Sequence, residues 1–301
     1  MSTVRIAIID LGTNTFNLLV AEKSGSKIKR ILSTKDGVAL GLGGINENSI
    51  AKDAIDRAMK TLTNFCAIGK ENKVDHYFAF GTSAIRNANN AQEFIERVWQ
   101  ELNLKIEVIS GAREAELIYK GVCLGYNFVE NALIMDIGGG STEFIFAGTN
   151  GIIKAHSFEI GVSRIYQQYV FSDPLTPDDC KKIIDYLEDE TKGFFDDISC
   201  KKLIGASGSF ETFYKLASLQ DFPEDTYLAM SLDEVNKSLT AIIASTQLER
   251  DKNPLIIPIR KKMAPIAAVK TKWIIEKLNI TELVISPFAL KEGVITEIDV
   301  N

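Results

Sequence analysis

An apolar run that stops at an aspartate, one more apolar residue and a glycine occurs twice in this chain. That duplication constrains the fold more than any other feature. The first copy reads Ile8-Ile9-Asp10-Leu11-Gly12-Thr13-Asn14, the second Ile134-Met135-Asp136-Ile137-Gly138-Gly139-Gly140-Ser141. Asp10 and Asp136 lie 126 residues apart, a domain length. After each copy, an alternating apolar stretch is broken by a turn dipeptide, Ser24-Gly25 or Asn150-Gly151, so each reads as a β-hairpin. Each half then has an apolar strand ending in a glycine-hydroxyl turn. Gly81 of the first lies 71 residues past Asp10, and Gly205 of the second lies 69 past Asp136. Val-Ile-Ser follows in both halves, at Val108 to Ser110 and Val284 to Ser286, with the longer spacing in the second.

Helical patterns separate these strands. Ala54, Ile55, Ala58, Met59, Leu62 and Phe65 form one apolar stripe, and Phe94, Ile95, Val98 and Leu102 another. Thr176-Pro177 opens a third helix, and Ser231 with Glu234 makes a capping-box pattern before a fourth. The fold class expected is α/β, with two matching domains, 1–126 and 127–301, facing each other across a cleft.

The repeated turn suits an anionic ligand. Glycines at a strand end let the backbone approach closely, and its N–H groups make an anion-binding concavity. Thr13, Ser141 and Thr142 add hydroxyls. An aspartate beside an anion calls for a cation between them, and Mg²⁺ prefers carboxylate, water and phosphate oxygens. Two facing copies suggest a phosphate gripped from both domains. The phosphate-binding residues expected are Gly12, Thr13, Asn14, Ser83, Gly138, Gly139, Gly140, Ser141, Gly205 and Ser207, with Asp10 and Asp136 toward the metal. A single such turn occurs by chance; two in matched context are the informative signal. Leu40 to Gly44 lacks the spacing of a dinucleotide fingerprint, and no P-loop pattern occurs.

Charge and composition exclude other classes. With 40 acidic against 34 basic residues the net charge is −6, which argues against nucleic acid as a partner. Four scattered cysteines without C-x-x-C spacing and two histidines argue against zinc and read as buried thiols. No apolar run approaches the ~20 residues of a membrane span, and the N-terminus lacks a signal-peptide layout, so a cytoplasmic protein is expected. Lys27 to Arg30 and Arg260 to Lys262 read as solvated basic runs. Arg86, just past a strand-end turn, is the better phosphate contact, and a locally positive cleft is expected around it.

Water attack on a phosphate needs a positioned base. Glu114 and Glu116 open a helix after a strand, where the helix dipole alone also favours carboxylates. They are two apart and point in different directions, so one is a candidate base and the other a solvated residue.

The segments "IDLGTNTFNLLV", "FGTSAIRNANN", "VISGAREAELIYKGV", "DIGGGSTEF", "IGVSRI" and "GASGSF" occur in that order. They resemble the exopolyphosphatase/guanosine pentaphosphate phosphohydrolase (Ppx/GppA) family of the actin and sugar-kinase superfamily. The resemblance implies two ribonuclease H-like, actin-like ATPase domains. It also implies Mg²⁺-dependent release of the terminal phosphate of polyphosphate, or of the 5′ phosphate of guanosine pentaphosphate. It puts the catalytic carboxylate at Glu114, the metal-associated carboxylates at Asp136 and Glu143, phosphate-holding positions at Gly138 and Ser141, and an Arg/Asn pair at Arg86 and Asn90. Where relatives carry an arginine or glycines, this chain has Val38-Ala39-Leu40-Gly41, Ala267 and Ala289, which favours polyphosphate over a nucleotide. The C-terminal helical domains of longer members are expected to be absent, and the last helix is expected to pack back on the first domain. An exopolyphosphatase is therefore expected, with guanosine pentaphosphatase as the alternative. An ATP-dependent kinase and a non-catalytic phosphate or alarmone sensor are further alternatives. Membranes are not expected as partners; a homodimer is.

Overall fold

The computed structural model describes residues 3–25, 27–223 and 225–299. The first half contributes β1 (Val4–Leu11), β2 (Thr15–Ser24), β3 (Lys27–Gly37), β4 (His76–Gly81) and β5 (Ile106–Val108). Its helices are α1 (Lys52–Glu71), α2 (Ser83–Asn87), α3 (Ala91–Leu102) and α4 (Gly111–Val122). The second half has β6 (Ala132–Ile137), β7 (Thr142–Gly148), β8 (Gly151–Phe158), β9 (Lys202–Ala206), β10 (Leu228–Met230) and β11 (Glu282–Ile285). Its helices are α5 (Val162–Gln168), α6 (Pro177–Glu190), α7 (Gly208–Ser218), α8 (Leu232–Ala244), α9 (Gln247–Lys252), α10 (Ala264–Lys277) and α11 (Leu290–Glu297).

The first sheet runs β3-β2-β1-β4-β5 and the second β8-β7-β6-β9-β11, with β10 added at its edge. Each begins with two antiparallel pairings and continues with parallel ones. The strand-for-strand match is the ribonuclease H-like order, present twice. The extra chain of the second half supplies β10, α8 and α9.

Both sheets are covered on both faces, so their central strands are apolar at nearly every position. Side chains alternate across a strand. On β1, Ala7, Ile9 and Leu11 enter a core with α1 and α3, whereas Ile6 and Ile8 enter a layer shared with α4 and α11. On β6, Leu133, Met135 and Ile137 enter the core with α6, α8 and α10, whereas Ala132 and Ile134 enter that same shared layer. Helices α4 and α11 thus lie between the sheets. A side chain on Gly121 would overlap Ala289 O, and one on Gly293 would overlap Leu117 O, so the two helices cross in close backbone contact. Lys23 Nζ donates to Ile295 O at 2.7 Å, tying α11 to the first sheet.

Some local expectations change. Thr176 and Asp179 make a full capping box on α6. Ser231 occupies the N-cap of α8, but its hydroxyl makes no capping bond; Val235, Leu239 and Ile242 anchor that helix by burial. Of the cysteines only Cys200 is buried, and Cys123 is exposed. Among the described residues, no helix is long and apolar enough to cross a membrane.

Candidate active site

The period of two that buries Ile6 and Ile8 puts Asp10 on the same face of β1, and Ile134 does the same for Asp136 on β6. Both aspartates therefore face the space between the sheets, where a cavity of about 190 Å³ is lined from both halves.

The two turns that follow are built alike. Gly12 N donates to Thr15 O and Gly138 N to Ser141 O, each at 3.1 Å. A Cβ on Gly12 would come to 2.8 Å from that oxygen, which requires glycine, and one on Gly138 to 3.0 Å, which leaves little room. The carbonyls are taken up behind the cavity. Thr13 O accepts from Gly41 and Asn14 O from Val38 and Ala39. Gly138 O, Gly139 O and Gly140 O accept from Val162, Ser163 and Gly161 at the start of α5. No backbone acceptor among the described residues takes the N–H of Thr13, Asn14, Gly139 or Gly140. All four residues line the cavity, together with Gly12, Ser83, Gly138, Ser141 and Ser207.

The repeats differ at one decisive position. Asp10 faces Asn17 across the β1–β2 ladder, and Asp136 faces Glu143 across β6–β7. Asn17 Nδ2 donates to Asp10 Oδ2 at 3.0 Å. The second repeat instead sets two carboxylates opposite each other, an arrangement that is destabilising unless something binds there. Glu114, Asp136 and Glu143 are buried in the cavity wall, and Asp10 is half-buried there. Burial pushes Asp10 and Asp136 up to about 6. Burial, reinforced by Asp136, pushes Glu143 up to about 7, against hydroxyl bonds from Ser157 and Ser141. Burial and the neighbouring Glu143 also hold Glu114 well above the usual carboxylate range, and Arg86 does not cancel them.

Glu114 sits in the first turn of α4, whose N-cap Ser110 accepts from Arg113 N at 3.1 Å. Arg86 Nη1 donates to Glu114 Oε2 at 2.8 Å. Arg86 is thus not the free phosphate contact expected from the sequence. It lies behind the cavity wall, paired with Glu114 and with Glu159. Gly205 is also corrected: it lies in β9 outside the cavity, where a Cβ would run into the Phe210 ring. Ser207, two residues on, does line the cavity. Its buried hydroxyl has no hydrogen-bond partner, and it lies close enough to Asp136 to draw that carboxyl down. Asn90 bonds Ile50 N and O at 2.9 Å and braces a loop away from the cavity.

Sequence patterns missed several cavity residues. Arg260, read as part of a solvated run, packs its guanidinium against Gly208 and donates to Thr212 Oγ1 at 3.1 Å. Lys35 reaches in from β3 to Glu211 at 2.7 Å, and Lys291 enters from α11. Outside the lining, buried Lys270 of α10 donates to Thr142 Oγ1 and Ile160 O, each at 2.5 Å, and burial brings it down to about 7. Only Asn17 had a legible signal: it follows Asp10 by the seven residues that separate Glu143 from Asp136.

The expected positive cleft is overturned. Its lining includes the carboxylates of Asp10, Glu114, Asp136, Glu143, Glu211 and Glu292, against three cations, Lys35, Arg260 and Lys291. A polyanion enters such a site only with cations. The donors are all oxygen, as Mg²⁺ requires. No group of three metal-ligating side chains is assembled among the described residues.

The profile of the Ppx/GppA phosphatase family matches residues 19–299. The chain belongs to the Ppx/GppA phosphatase family. It is 30% identical over 297 residues to a bifunctional 3-dehydroquinate synthase/phosphatase of Fusobacterium nucleatum, covering 93% of this chain and 44% of that protein. The chain therefore spans less than half the length of that curated relative. Among solved structures, an exopolyphosphatase from Cytophaga hutchinsonii superposes with a TM-score of 0.93 at 35% identity, over 97% of this chain and 96% of that one. The Aquifex aeolicus PPX-GPPA enzyme superposes with a TM-score of 0.81 at 25% identity, over 99% and 100% of the two chains. Members of this Ppx/GppA fold thus share the paired sheets described above.

Proposed function

We propose that this Ppx/GppA protein is a Mg²⁺-dependent exopolyphosphatase whose two domains, 1–126 and 127–301, close on the end of an inorganic polyphosphate chain. The observation that carries this reading is the convergence of three buried carboxylates, a half-buried fourth at Asp10, and two glycine turns whose N–H groups have no backbone acceptor, on one cavity. The N–H groups of Thr13, Asn14, Gly139 and Gly140, with the hydroxyls of Thr13, Ser141 and Ser207, hold phosphate oxygens. Asp136 and Glu143 would hold Mg²⁺, with Asp10 as the weaker contributor because Asn17 already bonds it. Bound there, the ion would offset charge on the phosphate oxygens. Glu114 orients a water and accepts its proton as the water oxygen bonds the terminal phosphorus. The bond from that phosphorus to the bridging oxygen breaks, and the shortened chain leaves with the electron pair. Lys35, Arg260 and Lys291 grip the chain farther out.

Polyphosphate is favoured over guanosine pentaphosphate because Ala267 and Ala289 both line the cavity. Their methyl groups fill space where the family resemblance implies glycine. Phosphate release with Mg²⁺, compared among long polyphosphate, tripolyphosphate, guanosine pentaphosphate and ATP, tests the reading. Release from the inorganic substrates above the nucleotides is expected. Preference for guanosine pentaphosphate would reverse the substrate assignment, and phosphoryl transfer from ATP without hydrolysis would make the protein a kinase.

A further inference from the structure

One carboxylate outside the cavity ties the two domains together. Glu159 lies between β8 and α5 in the second domain. It accepts from Ser83 Oγ at 2.6 Å and from Arg86 Nη2 at 3.0 Å, both on α2 of the first domain. Arg164, from its own side, donates to it at 2.9 Å. Arg164 also reaches Gly140 O and Ile45 O, each at 3.0 Å. Alternating charges thus run from Glu114 through Arg86 and Glu159 to Arg164, and the network crosses between domains at Arg86 and Glu159 and again where Arg164 reaches Ile45 O.

This is not an ordinary surface ion pair, which would contribute little. The Arg86 and Arg164 side chains are 16% and 11% exposed, while Glu159 between them is 37% exposed, so the buried part of the link is its two guanidinium groups. A buried guanidinium that loses one partner must find another. The other bonds across the cleft, such as Ser163 to Asn14 and Gln167 to Gly41, join the domains without touching Arg86.

We propose that Glu159 is a positioning residue that couples domain closure to the orientation of the base. The inference rests on the reading of Glu114 as that base. In this structure Glu159 occupies one arm of the Arg86 guanidinium. The other arm holds Glu114 through Oε2, which leaves Oε1 for the water. When the domains part, Ser83 and Arg86 lose Glu159 together. Arg86 Nη1 keeps Ile109 O at 3.2 Å and Glu114, and the released Nη2 can turn to the second oxygen of Glu114, the one the water needs. Glu159 makes turnover conditional on closure without touching substrate.

Glu159→Gln, which keeps the size and removes the charge, tests this. Spin labels at Lys60 and Lys192, both exposed and on opposite domains, report the distance between them. Longer, broader distances are expected, with kcat on tripolyphosphate and Mg²⁺ reduced on the order of 10-fold and KM changed far less. In an Arg86→Gln background the same substitution should cost nothing further, because the coupling is already broken. Unchanged distances, with or without a loss of kcat, would overturn the proposal, as would losses that multiply in the double variant. The two readings fail separately. Near-normal turnover in Glu114→Gln would remove the base; unchanged distances and kcat in Glu159→Gln would remove the coupling while Glu114 stands.

Discussion

Glu114 and Glu116 stand two residues apart on α4 and occupy opposite environments. Glu114 is buried against the cavity with Arg86 Nη1 at 2.8 Å. Glu116 is on the solvent side, paired with Arg113 at 2.7 Å and Lys120 at 2.6 Å. The helical rotation between them separates a carboxylate held above its ordinary range from one held below it by its cations.

Glu114→Gln should therefore lower kcat by ~10²–10⁴, the usual contribution of a positioned base. Substrate affinity should stay the same or tighten, since one negative charge near a polyanion is lost. Glu116→Gln should stay within about 2-fold of the parent, because its exposed pairs contribute little. Steady-state rates and equilibrium binding of tripolyphosphate to both variants measure this. Equal losses in the two would refute the assignment.

Removing the metal should abolish binding as well as hydrolysis. With six carboxyl groups, some of them partly protonated near neutral pH, against three cations, the lining offers a polyanion no net positive charge of its own. Titration calorimetry with tripolyphosphate should give no binding in chelator and restored binding with Mg²⁺. Asp136→Asn should raise the Mg²⁺ needed for half-maximal activity by on the order of 10-fold. Binding that survives chelation would show that the phosphate sites work without the ion.

The raised carboxyls fix the sign of the pH dependence. Asp10, Asp136 and Glu143 titrate at about 6, 6 and 7 in the folded protein, above their ordinary values of 3.8, 3.8 and 4.5. Between those limits the folded state binds more protons than the unfolded one, so stability falls as pH rises. Lys270, lowered to about 7, acts in the opposite direction only above that pH. The metal-free protein should thus melt at a higher temperature near pH 5 than near pH 7, and Mg²⁺ should raise the melting temperature more near pH 7. Thermal melts at both pH values, with and without Mg²⁺, decide it. A larger Mg²⁺ effect at the acid end would contradict the placement of the ion on these carboxylates.

Gly121→Ala should destabilise the protein by about 1–3 kcal/mol, the usual cost of overpacking. The added methyl would meet the backbone of Ala289, which cannot rotate away as a side chain would. Denaturant unfolding measures the loss. Gly193→Ala tests a different cost: nothing lies within 4 Å of that site, but its φ of +76° strains any side chain. A Gly121→Ala variant as stable as the parent would mean that α4 and α11 can separate without penalty.

The repeated strand and turn were legible because each is local. Alternation along β1 and β6, the glycines at positions 12 and 138, and the hairpin turns depend on neighbours within a few residues. The duplication then implied two similar domains and a shared anion site. The sequence also marked Glu114 and Glu116 as a pair with different directions, since helical geometry alone separates residues two apart. What it could not rank was their burial, because that depends on Arg86 and Glu143 arriving from distant segments. Arg86, Arg260, Lys35 and Glu159 found their partners only in the tertiary structure: 28 residues separate Arg86 from Glu114, and 176 separate Lys35 from Glu211. Long charged side chains carry no periodic signal, and the charge they meet is set by which strand faces which across the cleft. The sequence thus determined where the backbone turns and which N–H groups those turns leave without a backbone acceptor. The packing of two sheets around α4 and α11 decided which carboxylates lose their water, and hence which of them hold their protons above the ordinary range.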